Sequence, residues 1–490
     1  MGHDIAAGTL LLLAGALGLA LMFECINGFH DTANAVATVI YTNTLKPTVA
    51  VVWSGMWNLI GVLVSSGAVA FGIVALLPVE LVIHVGSAAG FAMVFSLLLS
   101  AVIWNFATWY KGIPASSSHT LIGSIVGVGL MNAVITSHPF GDGVNWGKVQ
   151  DTFTALLVSP MIGFFGAALL LLAMKFLVRI PELYKAPEGD KPPTLWIRIL
   201  LVLTCTGVSF AHGSNDGQKG QGLIMLILIG ILPGVYAINP AVNAATVTQV
   251  LSLNHKVQPL LQNGANNVSV NSAQAETALS DFLKAGAKAS TQTYAALAFE
   301  NQQLATMLSA STTPAQLSSD QRRDLRSTTY LVGESIGKLQ KAKAFPPDSK
   351  TDVDAYKKQL DGMTKFIPLW VKVAVAFCLG IGTMIGWKRI VVTIGEKIGK
   401  AHLTYGQGAA AEIVTYATIQ GADILGLPVS TTHILSSGVA GTMAANHSGL
   451  QTKTLRDIAL AWVLTVPVCV FLGGMLFAGG LELILRLGIK

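Results

Sequence analysis

Long apolar runs recur along the chain, and the places where polar residues interrupt them recur too. Thr9 to Phe23 is almost entirely Leu, Ala, Gly and Met; then Gly28-Phe29-His30-Asp31-Thr32-Ala33-Asn34-Ala35 sets an imidazole, a carboxylate and a carboxamide in the run before Val36 to Ile40 resumes it. This pattern predicts a helix over Gly8 to Glu24, an interruption at the motif and a short continuation from Ala33 to Tyr41. Further apolar segments follow at Val49 to Leu77, Phe91 to Tyr110 and Thr154 to Val178. Between the last two lies Gly112-Ile113-Pro114-Ala115-Ser116-Ser117-Ser118-His119, and after it only Leu121 to Val134 before polar residues return. That run is short for a span and polar at its head, which predicts a re-entrant hairpin.

The order of events then repeats. Ile199 to Phe210 leads into Gly213-Ser214-Asn215-Asp216-Gly217-Gln218-Lys219-Gly220, Leu223 to Leu232 continues beyond it, and Phe366 to Gly386 and Leu403 to Leu425 are apolar. Gly426-Leu427-Pro428-Val429-Ser430-Thr431-Thr432-His433 matches the first hairpin motif position by position, and Ile458 to Leu485 is a last span. Asp31 to Ser116 is 85 residues and Asp216 to Ser430 is 214; without the 122 residues from 241 to 362 the second spacing is 92. The expected organisation is therefore a first transmembrane repeat at 1–180, a linker at 181–197, a second repeat at 198–240 and 363–490, and a soluble insertion at 241–362. The insertion is rich in charge, Gln, Asn, Ser and Thr, and Ala275 to Leu308 and Gln321 to Lys343 read as amphipathic helices.

Composition narrows the class. Of 490 residues, 52% are hydrophobic and 11% charged, where soluble domains carry about 25%. The expected fold is thus an all-α polytopic membrane protein of two inverted repeats, with broken helices and re-entrant hairpins, plus a mostly helical soluble insertion. The net charge of +6 fits basic loops at the cytoplasmic side, and with no basic run interleaved with aromatics, nucleic acid is not an expected partner. Cys25, Cys205, Cys378 and Cys469 are isolated and read as small core residues. The first apolar run carries no positive n-region, so it reads as a retained helix rather than a cleaved signal.

Ionisable groups at membrane depth cost roughly 2.5 kcal/mol or more each, so Asp31 and Asp216 mark a functional site. In each hairpin motif a proline ends one helix and a serine can cap the next, leaving free backbone N-H groups that attract an anion. Two aspartates beside an anion repel it unless a proton or cation lies between. Phosphate, which keeps P-OH groups near neutral pH, suits such a site better than sulfate. Ser118-His119 and Thr432-His433 invite a nucleophile and base, but adjacency in sequence does not give that geometry, and no enzyme is expected. His119 and His433 read as hydrogen-bonding groups that orient the hairpins.

Taken together, the paired G-x-x-D motifs and paired P-x-S-[ST]-[ST]-H hairpins resemble the inorganic phosphate transporter (PiT) family over the whole chain outside 241–362. The resemblance implies alternating-access symport of inorganic phosphate, with Asp31, Asn34, Asn215 and Asp216 lining the site beside Ser116, Ser117, Ser118, Ser430, Thr431 and Thr432. Sodium-coupled members resemble G-A-N-D-V-A-N-A in both copies, whereas here His30 precedes Asp31, Lys219 replaces the late Asn, and Asn58 stands where those members tend to have an acid. Glu412 matches one of their acids. The pattern is similar to the bacterial low-affinity branch, which implies proton coupling and phosphate carried with a divalent cation such as Mg. Glu24, His30, Lys219 and Glu412 are then the groups expected to handle coupling ions or offset charge. Sodium coupling and a sulfate permease are the alternatives. The expected setting is a bacterial inner membrane, crossed many times, with no resident cofactor; a homo-oligomer stays open.

Overall fold

The computed structural model describes residues 7–77, 82, 87–141, 144–284, 286–310 and 313–486, with the side chains of residues 7–9 and 32–34 excepted. The first half contains α1 (Ala7–Tyr41), α2 (Pro47–Val64), α3 (Ala68–Val74), α4 (Ala88–Tyr110), α5 (Ser117–Ile135) and α6 (Trp146–Leu177). The second begins with α7 (Leu195–Ile231). Five helices then build the polar insertion: α8 (Ala244–Ala265), α9 (Ser272–Leu283), α10 (Thr291–Ser309), α11 (Ser319–Lys341) and α12 (Lys350–Thr364). The chain ends with α13 (Leu369–Gly386), α14 (Lys388–Glu396), α15 (Tyr405–Ile424), α16 (Thr431–Ala445) and α17 (Thr452–Arg486). Eight of these, α1, α2, α4 to α7, α13 and α17, are long and apolar enough to cross a membrane. Their outer faces expose Leu169, Phe176, Ile385, Val463 and Phe471, while Asp31, His212, Asp216 and Lys219 are buried. Apolar outside and ionisable inside is the arrangement a bilayer imposes, and the protein is a multi-pass membrane protein.

The two polar motifs do not interrupt their helices, which corrects the expectation of broken segments: α1 and α7 run through them as continuous helices of 35 and 37 residues. The motif side chains find partners on other helices, so the backbone need not open to satisfy them. Glycine then permits close crossing. A Cβ on Gly28 would collide with the Leu379 carbonyl of α13, and one on Gly213 with the Asn58 carbonyl of α2. Gly382 and Gly61 return the approach, against Cys25 and Phe210. The α1–α13 contact is therefore the α7–α2 contact made a second time, with an element of each half packed on the other. The hairpins repeat the exchange, since Gly127 of α5 rests on Val470 of α17 and Gly441 of α16 rests on Phe164 of α6.

Two further expectations change. Val49 to Leu77 is not one span: it parts at Ser65 to Gly67, where Gly67 takes φ +86°, a left-handed conformation glycine adopts without strain. Ala275 to Leu308 is likewise two helices, α9 and α10, separated by a turn with Gly286 at φ +72°. Within α6, Pro160 removes a backbone donor and a π turn at Ile162–Gly166 follows. The thiols of Cys25 and Cys378, far apart in sequence, meet where α1 crosses α13.

The insertion has a core of its own. Leu253, Val257, Leu279, Leu297, Val332 and Leu360 are among its buried residues, and Tyr356 donates to Asn301 Oδ1 (2.7 Å) while accepting from Asn254 (2.9 Å). Reciprocal capping boxes open α9 (Asn271 with Gln274), α10 (Ser290 with Thr293) and α11 (Ser318 with Gln321), satisfying the first N-H groups of each helix.

Candidate functional site

The site forms where α1, α7 and the two hairpin tips converge. Each tip has a glycine at φ +66°, Gly112 and Gly426, then a proline, then a serine cap: Ser116 accepts from the His119 N-H (3.3 Å) and Ser430 from the His433 N-H (3.2 Å). The caps set α5 and α16 with their N-termini inward. The tips touch, since Ser118 donates to the Val429 carbonyl (2.8 Å) and the His119 and His433 rings lie 4.6 Å apart. His433 also stacks on Trp462 at 3.8 Å, and its Nε2 has no hydrogen-bond partner, so ring contacts hold it where hydrogen bonds were expected.

Asp31 accepts from Thr432 on one oxygen and from Ser117 (3.4 Å) on the other, so a carboxylate of α1 binds both tips. Ser117 also donates to Asn27 (2.6 Å). Across from Asp31 lies His212 of α7, its Nε2 3.6 Å from Asp31 and 3.5 Å from Asp216. Its other ring nitrogen meets the Asn58 side-chain oxygen at 2.8 Å, which fixes the ring. Lys219 pairs with Asp216 at 2.8 Å, and both are buried. Asn215 donates to the Leu427 carbonyl (3.2 Å) in the second tip. Asp31, Ser117, Asn215, Asp216, Lys219 and Thr432 thus come together as one cluster. The Asn34 side chain falls outside the described residues.

Several expected residues lie at the edges. His30 turns to the Asn105 carbonyl (2.7 Å) and to Thr108 on α4 rather than to either aspartate. Glu412 is fully buried and accepts from Thr38 and Thr204, which places it between α1 and α7. Glu24 lies beside Gly220, whose missing Cβ leaves room for its carboxylate, and neither of its oxygens has a hydrogen-bond partner. His212 is the group that sequence reading missed. Its signal was the i,i+4 spacing to Asp216, which puts both side chains on one helical face. Asp423 accepts from Ser214 and Gln218 (both 2.7 Å) and so ties α15 to α7.

Buried polar atoms without a hydrogen-bond partner occur in this cluster: Asn27 Nδ2 and Thr431 Oγ1 beside Asn215 Oδ1 and Asp216 Oδ1. Native interiors leave few such atoms, so unpaired donors and acceptors on one cluster point to a ligand that both accepts and donates hydrogen bonds. Asp31, His212 and Asp216 also offer three ligand atoms within 4.8 Å of one another.

Exchanged helices, facing hairpin tips and an ionisable cluster between them define a membrane transporter rather than an enzyme. Residues 27–473 match the Phosphate transporter family, and the chain belongs to it. It is 42% identical over 508 aligned positions to the low-affinity inorganic phosphate transporter PitB of Escherichia coli (strain K12), covering 99% of each chain. Against PitA of the same strain it is 42% identical over 490 positions and covers 97% of each. Among solved structures, one described as the sodium-dependent phosphate transporter aligns with a TM-score of 0.52 at 18% identity, over 97% of this chain and 99% of that one, a likeness of fold.

Proposed function

We propose that the protein is a secondary symporter that imports inorganic phosphate across a bacterial inner membrane, coupled to protons, with its site between Asp31, Asp216 and the hairpin tips. The observation that carries this reading is the set of unpartnered buried donors and acceptors on the residues of that cluster. Phosphate near neutral pH has oxygens for the Asn27 and Thr431 donors and P-OH groups for Asp216 and Asn215. The N-termini of α5 and α16 add their dipoles and free N-H groups. Proton coupling is supported by what offsets the carboxylates: His212 lies against both and Lys219 against Asp216. In alternating access the contact between Ser118 and Val429 closes the tips on one side of the substrate, and its opening releases the cargo.

A finer reading adds a divalent cation to the cargo. Asp31, His212 and Asp216 fit such an ion, which would travel with phosphate as a neutralised complex. Sodium coupling, the property in the name of the structural neighbour, is the rival.

Uptake of labelled phosphate into proteoliposomes under an imposed pH gradient, with and without sodium and magnesium, separates these. Gradient-driven uptake that needs no sodium is expected, with Asp31→Asn and Asp216→Asn slower by about 100-fold, the loss of one charged hydrogen-bonding group. Magnesium dependence would identify the complex as cargo. A strict sodium requirement would refute proton coupling, and sulfate uptake in place of phosphate would refute the substrate.

A further inference from the structure

Beyond the aspartates of the site, α1 carries a further buried acid. Glu24 is fully enclosed, and neither oxygen of its carboxyl group has a hydrogen-bond partner. Glu412 is equally buried yet accepts from two hydroxyls, those of Thr38 and Thr204. Around Glu24 lie Phe23 and Ile26 of the apolar core and Gly220 of α7, whose missing Cβ is the space its carboxyl group fills. An ionised carboxylate left without donors in such surroundings is strongly unfavourable, so a carboxyl there keeps its proton.

Two links join it to the site. Glu24, Asn27 and Asp31 follow at i, i+3 and i+7 on one face of α1. Asn27, its Nδ2 without a partner, accepts from the same Ser117 that reaches Asp31 (2.6 and 3.4 Å). The second link is Lys219, which directly precedes Gly220. Its charge acts on Glu24, although the one ion pair it makes among the described residues is with Asp216 at 2.8 Å. The other titratable groups whose charge reaches Glu24 are Asp216 itself and the adjacent Cys25, which meets Cys378 of α13. Lys219 is thus a cation that two acids can claim, Asp216 inside the site and Glu24 outside it.

We propose that Glu24 carries a coupling proton, and that its protonation assigns Lys219 to Asp216 and so to the phosphate site. The inference rests on the proton-coupled reading above and adds to His212 a proton site set apart from the cargo. With Glu24 neutral, Lys219 stays on Asp216, where its charge lowers the repulsion an incoming anion meets. When Glu24 gives its proton to water on the side where the cargo leaves, its carboxylate draws the Lys219 ammonium across. Asp216 is then left negative beside the anion, which expels it. Proton and phosphate therefore bind together and leave together, the sign that symport needs, and by linkage each raises the affinity for the other. Lys219 keeps its own proton throughout; the O–H of Glu24 is the bond made and broken.

The test compares two assays of the full-length protein in proteoliposomes: accumulation of labelled phosphate driven by an imposed pH gradient, and exchange of labelled for unlabelled phosphate at equal pH on both sides. Exchange moves the loaded site to and fro without discharging the proton. Glu24→Gln, a permanently neutral mimic, should therefore lower the ratio of driven uptake to exchange by about tenfold or more, within the usual span of coupling between sites. Glu24→Asp, which keeps a proton site, should restore much of that ratio. A merely structural Glu24 would lower both assays together, so an unchanged ratio in Glu24→Gln overturns the inference and leaves the proton-coupled reading standing. A wild type that the gradient does not drive overturns both. If Glu24→Gln transports nothing in either assay, dicyclohexylcarbodiimide decides, because this apolar reagent adds to protonated carboxyl groups. Peptide mass spectrometry of the treated wild type should find Glu24 modified, less so as the pH is raised, and the modification should persist to higher pH in Lys219→Gln, where no ammonium competes for the carboxylate. No modification at Glu24, or modification independent of pH, overturns the proposal.

Discussion

Two carboxylates on neighbouring helices repel unless something positive lies between them, and His212 Nε2 stands 3.6 Å from Asp31 and 3.5 Å from Asp216. With Lys219 paired to Asp216 at 2.8 Å, the cluster carries one negative charge when His212 is neutral and none when it is protonated. An anion is therefore easier to admit after a proton arrives. Replacing His212 with Gln keeps a hydrogen-bonding group near Asn58 and removes the proton site. We expect His212→Gln to lower phosphate uptake by about tenfold or more and to flatten its dependence on pH, read as initial rates in proteoliposomes. A variant that is slower but keeps the wild-type pH profile would reduce His212 to a packing role. Lys219→Asn tests the neighbouring charge: if its pH-driven uptake matches wild type, Lys219 does not stand in for a coupling cation.

At the scale of elements, the crossings of α1 with α13 and of α7 with α2 depend on absent side chains. A Cβ at Gly28 or Gly213 would run into backbone carbonyls, which cannot swing aside as a flexible side chain can. Gly28→Ala and Gly213→Ala should each destabilise by about 1–3 kcal/mol through overpacking. Gly18→Ala is the control: nothing lies within 4 Å of its Cβ position, and it should be neutral or gain up to about 1 kcal/mol of helix propensity. Thermal unfolding in detergent reads all three, and equal midpoints for Gly18→Ala and Gly213→Ala would refute the close-packing account. The same crossings explain what the sequence showed and what it hid. The repeated motifs, the hairpin tips and the insertion were legible because each rests on local chemistry: proline before serine, long apolar runs, a shift in charge. The continuity of α1 and α7 was not, because Asp31 and Asp216 look like interruptions until Thr432, Ser117, His212 and Lys219 are seen to satisfy them. For Asp31 those partners come from other parts of the chain, while Asp216 is met by His212 and Lys219 of its own helix. For the same reason His212, one histidine in an apolar segment, carried no weight before Asn58 and Asp31 appeared on either side of it.

For the whole molecule, the question is how the polar helices α8 to α12 are held to the apolar ones. Lys365 lies just ahead of Leu369, where α13 begins, and α13 is the helix against which Gly28 packs. Glu334 of α11 grips Lys365 at 2.8 Å, so the insertion is pinned at the root of a helix that touches the site-bearing α1. Burial pushes the Glu334 carboxyl up, but Lys365 and then Lys357 outweigh it and hold it at about 2, below the ordinary 4.5. Lys357 is itself lowered, by burial first and by the adjacent Lys365, so the pair with Lys365 carries the effect. A carboxyl held below its unfolded value contributes stability above that value and loses it as the pH falls toward the folded one. The contribution is therefore complete above about pH 4.5 and declines between there and pH 2. Glu334→Gln should lower the unfolding midpoint at pH 6 and show a shallower loss between pH 4.5 and 3 than wild type. Other acids titrate in both proteins, so the difference between the two curves is the quantity to read. Parallel curves across that window would mean that Glu334 does not secure the junction. A narrowing gap would show that the Glu334–Lys365 pair helps to secure the junction beside the apolar burial of Tyr330 among the membrane helices.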